Sequence, residues 1–110
     1  MDTKEIIDEI NNGKTAVFEV SFKNYLDFRG KEDSWLEYLD TQKNIRSIIV
    51  TINKISGLKN KIYKADAKIY YKNGDISESY NAVKIYSSEI KENIDEINKL
   101  SNGKVSFKRR

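Results

Sequence analysis

Asp66-Ala67-Lys68 sets a carboxylate and an amine two residues apart, the acid-x-lysine spacing found in many metal-dependent nucleases. Alternation along a strand would put both side chains on one face. Metal-assisted hydrolysis needs further carboxylates converging there, and that face offers only Asp75, near a turn. A solvated strand face of alternating charge accounts for the pair more simply.

Lys64, Lys68 and Lys72 share the parity of Tyr70 along the same stretch. A sheet face with an aromatic among lysines can stack bases and neutralise phosphates. The same pattern also makes an ordinary wet face that discourages edge pairing. Lys104, Lys108, Arg109 and Arg110 are a second set of candidates, for phosphate or for an acidic partner. Frayed chain ends are often charged in the same way. Trp35 and Tyr38, with Arg29 in the charged loop 29–33, are a candidate protein interface, since these residue types dominate interface hot spots. The competing destination for Trp35 is the core. Gly13-Lys14-Thr15 is not a phosphate loop. Asp8 stands where the first glycine is needed, and a helix precedes a strand rather than following one.

What is missing narrows the chemistry further. The chain has no Cys and no His. That excludes disulfides, thiolate catalysis and Cys-based metal sites, and it removes the usual general base near neutral pH. A metal would need oxygen ligands alone. We expect a non-enzymatic protein without metal or cofactor. The net charge is +3, but Lys104, Lys108, Arg109 and Arg110 fall in the last seven residues. The remainder is slightly negative, so composition suggests no domain-wide footprint for nucleic acid. No apolar run has membrane-spanning length, and the charged start Met1-Asp2-Thr3-Lys4-Glu5 is unlike a signal peptide. The expectation is no membrane and a cytoplasmic location. Lys, Ile, Asn, Glu and Tyr dominate and Pro is absent. Such residues of A/T-rich codons suggest an A/T-rich bacterium or its phage.

These candidates must be positioned by elements that the periodicity predicts. With 110 residues, the chain should bury roughly two thirds of its unfolded surface. Asp2 and Glu5 have capping-box spacing, and Ile6, Ile7 and Ile10 form a stripe, which predicts a helix over 2–12 ended by Gly13. Ala16, Phe18, Val20 and Phe22 alternate with polar residues, which predicts a strand over 15–23. A short helix is expected over 34–42, with a strand nearly as good. Ile45 to Ile55 is a β-branched run and reads as a central strand, followed by a turn at Ser56–Asn60.

Residues 61–72 and 75–86 read as a hairpin closed by Asn73-Gly74 in a two-residue type I′ turn. That turn would set Ala67 opposite Tyr80 and Ala65 opposite Ala82, with Tyr71, Ile69 and Glu78 also on the core side. Ile90, Ile94, Ile97 and Leu100 predict a helix over 88–101, capped by Ser87 or Ser88 and stopped by Asn102-Gly103. Val105 and Phe107 predict a short last strand.

The expected fold is α+β: an N-terminal helix, an antiparallel sheet of four to five strands including the Asn-Gly hairpin, and a C-terminal helix packed on the sheet. Residues 1–103 form one domain, followed by a short strand and basic tail over 104–110. In element order alone the chain resembles the double-stranded-RNA-binding domain. That family's proline, histidine and lysine-cluster signatures are missing, and no family is assigned. The leading expectation is a binding protein that acts by occupying a protein partner's surface, as a phage or mobile-element inhibitor of a bacterial defence system (an anti-CRISPR, for example) would. The alternative is a nucleic-acid or nucleotide binder using the Lys/Tyr face and the tail. An exposed sheet edge also permits a homodimer.

Overall fold

The computed structural model describes residues 1–21, 24, 45–76 and 80–109, with 80–82 as backbone. Helix α1, Thr3–Asn11, begins as its sequence dictates. The Asp2 carboxylate accepts from the Glu5 amide and Glu5 reaches back to the Asp2 amide. This reciprocal pair satisfies two amides that the first turn leaves unpaired. Ile6 and Ile10 are buried on one side of the helix.

The chain then enters β1, Lys14–Val20, where Ala16, Phe18 and Val20 face inward. Strands β2 (Ile45–Ser56), β3 (Ile62–Tyr71) and β4 (Tyr80–Tyr86) follow, then α2 (Ile90–Leu100) and β5 (Val105–Arg109). All pairings are antiparallel, and the strand order is β4-β3-β2-β1-β5. The β-branched strand is thus central, with neighbours on both sides. The short last strand is an edge of the sheet, paired with β1.

The described helices α1 and α2 lie on one side of the sheet. Helix α1 packs against α2, β1 and β2, and α2 also reaches β1. Ile90, Ile94 and Ile97 of α2 join Ile6 and Ile10, together with Phe18, Ile48, Val50, Ile52, Tyr63 and Ile69 from the inner sheet face. Tyr63 is a buried ring whose hydroxyl donates to Asn11 Oδ1 at 2.7 Å. Burial raises its pKa, only partly opposed by that hydrogen bond, so it stays a neutral donor. Thr3 donates to Asp95 and the Asn98 amide to the Met1 carbonyl, which ties the two helices together at the surface.

Two local expectations are corrected. Neither Ser87 nor Ser88 caps α2. The Glu89 amide donates to the Tyr86 carbonyl at 2.8 Å, a tight turn that consumes both serines and leaves Glu89 as the cap residue without a side-chain bond. The helix end is as expected: Asn102 is left-handed (φ 55), and the Gly103 amide reaches the Asn98 carbonyl at 3.0 Å.

The hairpin turn also differs. Tyr71 donates to the Asp75 carbonyl and Gly74 to the Tyr71 carbonyl, enclosing a three-residue loop, Lys72 to Gly74. Only Gly74 takes a positive φ (93), and Asn73 accepts from the Asp75 amide instead. A left-handed last residue in a three-residue loop serves as well as the two-residue turn. The register therefore departs from the expected one. Ala67 pairs with Tyr80 as predicted, but Ala65 pairs with Val83, not Ala82. One extra residue in β4 at this point is a β-bulge, and everything beyond it changes face. Val83 and Ile85 turn inward, while Lys84 and Tyr86 turn outward. Glu78 lies outside the described residues.

Gly57 closes the β2–β3 turn with φ 94, and a Cβ there would stand 2.2 Å from the Asn60 carbonyl oxygen. That neighbour is backbone and cannot swing aside. Gly57→Ala should therefore cost more than about 1 kcal/mol, read as a lower urea midpoint. An unchanged midpoint would mean that the turn is differently built.

Candidate functional site

No helix among the described residues lies across the other side of the sheet. Its rows follow from the pairing. Lys108 lies beside Thr15, and Asn53, Lys64 and Lys84 form a line across β2, β3 and β4. Val17, Thr51 and Asp66 form the next, and Glu19, Ile49 and Lys68 the one after. The alternation that buries Phe18 and Val50 inward aims these residues outward.

A hollow of about 500 Å³ is lined by Ile49, Thr51, Lys64, Asp66, Lys68, Tyr70 and Lys108. Ile49 also lines a second hollow of about 310 Å³, with Val17, Glu19, Lys104, Val105 and Ser106. Glu19 and Lys104 recur in a third of about 220 Å³, which adds Arg46 and the buried Ser47. The third opens past Val20, Leu100 and Ser101 at the end of α2, while Ile49, shared by the first two, makes them one trough that crosses from β3 to the turn before β5. Its floor is Tyr70, Ile49 and Val17, all half-buried, and its rims carry the cations.

Lys64 pairs with Asp66 at 3.5 Å. Among the described residues no carboxylate pairs with Lys68, Lys84 or Lys108. The Arg46 guanidinium lies over the Tyr70 ring, 5.9 Å from its centroid, within cation–π range. No group of three or more metal-ligating acids occurs among the described residues.

Charge divides between the two sides of the molecule. The open face bears Arg46, Lys64, Lys68, Lys84, Lys104 and Lys108 against Glu19 and Asp66. Among the described residues the helical side carries Asp2, Glu5, Asp8, Glu9, Glu89, Glu92, Asp95 and Glu96 against Lys4, Lys14, Lys54, Lys91, Lys99 and Arg109, a smaller but opposite excess. The slightly negative remainder inferred from composition averages over both sides, and Lys104 and Lys108 from the basic end add to the sheet face. Averaging along the chain conceals this, because helices flank the strands in sequence but separate from them in space.

Of the residues singled out by sequence, Lys64, Lys68, Tyr70 and Lys108 meet at one hollow, and Lys104 lines the adjoining one. Lys72 belongs to the hairpin loop and lines none of the three. Arg109 pairs with Lys14, whose amine binds Glu9, so its register is that of the helical side. Arg29, Trp35, Tyr38 and Arg110 lie outside the described residues. Sequence reasoning missed Lys84, Arg46 and the apolar floor. The alternation of Val83 and Ile85 with Lys84 and Tyr86 was the available signal for Lys84.

No family model, curated protein or solved structure matches the chain. No helix among the described residues is long and apolar enough to cross a membrane.

Proposed function

We propose that this is a non-enzymatic binding protein whose working surface is the open sheet face, which occupies the surface of a polyanionic partner. The observation that carries the reading is the gathering of six cations on one sheet face that no described helix covers, over an apolar floor. Clustered charge raises the local potential and speeds encounter with an opposite partner. The lack of Cys and His agrees with binding rather than turnover. An inhibitor carried by a phage would act by the same route, by covering a surface its target needs.

Retention on immobilised heparin tests this with two triple variants of equal net charge. Lys68, Lys84 and Lys108→Ala should elute at much lower salt than the natural protein. Lys4, Lys91 and Lys99→Ala, on the helical side, should elute nearly where the natural protein does. Equal losses would show that net charge, and not this face, holds the polyanion, and the reading would fail.

A further inference from the structure

We infer that the polyanion this face takes is single-stranded nucleic acid, with bases on the Tyr70–Ile49–Val17 floor and phosphates along the lysine rims. The inference rests on the reading of the face as a polyanion site and adds the class of partner. Three features of the trough point the same way.

The floor comes first. Tyr70, Ile49 and Val17 form a half-buried apolar strip between cations. A duplex presents phosphates and keeps its bases inside, so it would meet the rims and leave the floor idle. Unpaired bases have π-faces that stack on an aromatic ring and pack on aliphatic side chains. The Asp and Glu side chains of an acidic polypeptide have charge for the rims but no flat rings for Tyr70.

The second is the placement of the acids. Asp66 in the larger hollow is already paired with Lys64, while Glu19 lines the second beside Lys104. A carboxylate there repels phosphate or another carboxylate laid along the middle. It accepts hydrogen bonds from the exocyclic amines of cytosine or adenine. The phosphates are thus directed to the rims and the bases inward.

Size is the third. The trough crosses four strands, so its length is roughly 14 Å at the usual strand spacing. That suits a few nucleotides, near the lower end of the ~4–16 that single-strand-binding folds cover. A base arriving at Tyr70 takes the ring face that Arg46 now covers at 5.9 Å, and the guanidinium is released to meet a phosphate.

The test uses the full chain and three labelled probes: oligo(dC) of roughly 12 nucleotides, a duplex of the same phosphate count, and polyglutamate. Affinities are read by anisotropy over a salt series. Oligo(dC) is expected to bind tightest. Tyr70→Leu, checked by its melting temperature, should weaken oligo(dC) about tenfold with the salt slope unchanged, as loss of one stacked base does. Two results would overturn the inference and leave the polyanion reading standing: duplex or polyglutamate binding as tightly to the natural protein, or a folded Tyr70→Leu binding oligo(dC) undiminished. Binding of none of the three probes would remove both.

Discussion

Alanine at Lys68, Lys84 and Lys108 together is expected to weaken binding of a single strand about a hundredfold at ~0.1 M salt. The slope of log affinity against log salt should flatten by about 2. Each phosphate met by a lysine releases roughly 0.7 of a condensed counterion from a single strand, so three contacts account for that slope. These lysines are exposed, lie on the same face, and have no carboxylate partner among the described residues. Lys64 differs because it shares its charge with Asp66. Its removal would also bare a carboxylate in the trough, so it is a poor single probe of phosphate contact. A triple variant with an unchanged salt slope would show that the phosphates are met elsewhere.

Phe18→Ala is expected to lower the unfolding free energy by about 3–5 kcal/mol, and Val17→Ala by less than about 1. The two residues are neighbours on β1. Phe18 is fully buried between Val50 and Val105 of the flanking strands, whereas Val17 is half-exposed on the trough floor. The loss at Phe18 combines the transfer term with an unfilled cavity. It is a large part of the roughly 5–15 kcal/mol that holds a domain of this size together. Urea unfolding of both variants measures the difference directly. Equal effects would mean that the sheet has no inner and outer face, and the trough would lose its geometric basis.

The same division sets how the molecule meets a partner. A basic sheet face opposite acidic helices gives the domain a dipole, although the whole chain carries only +3. Such a field turns the open face toward a polyanion before contact, and salt weakens it within a Debye length of about 8–10 Å.

The two described helices, the strands and the identity of the central strand were readable from periodicity and end signals, while the short helix expected over 34–42 lies outside the described residues. Asp2 with Glu5 and Asn102 with Gly103 are local chemistry, complete within a few residues, and both act as expected. The buried parity of Ala16, Phe18 and Val20, and of Ala65, Ala67 and Ile69, follows from alternation alone. Lys64, Lys68 and Tyr70 were assigned to one wet face for that reason.

Register is where this local reading ends. It was carried outward from Asn73-Gly74, but the loop takes three residues and β4 holds a bulge, so Lys84 and Tyr86 exchange faces with Val83 and Ile85. A bulge answers to packing across strands, which no single strand encodes. Strand order is likewise a tertiary matter. Only the pairing of β5 with β1 brings Lys108, more than forty residues from Lys64 in sequence, to the rim of the same hollow. Charge per residue was visible from the start, but its division between faces was not. Helices and strands are interspersed along the chain, and they separate into an acidic layer and a basic one only when both described helices bury their isoleucines against the same side of the sheet.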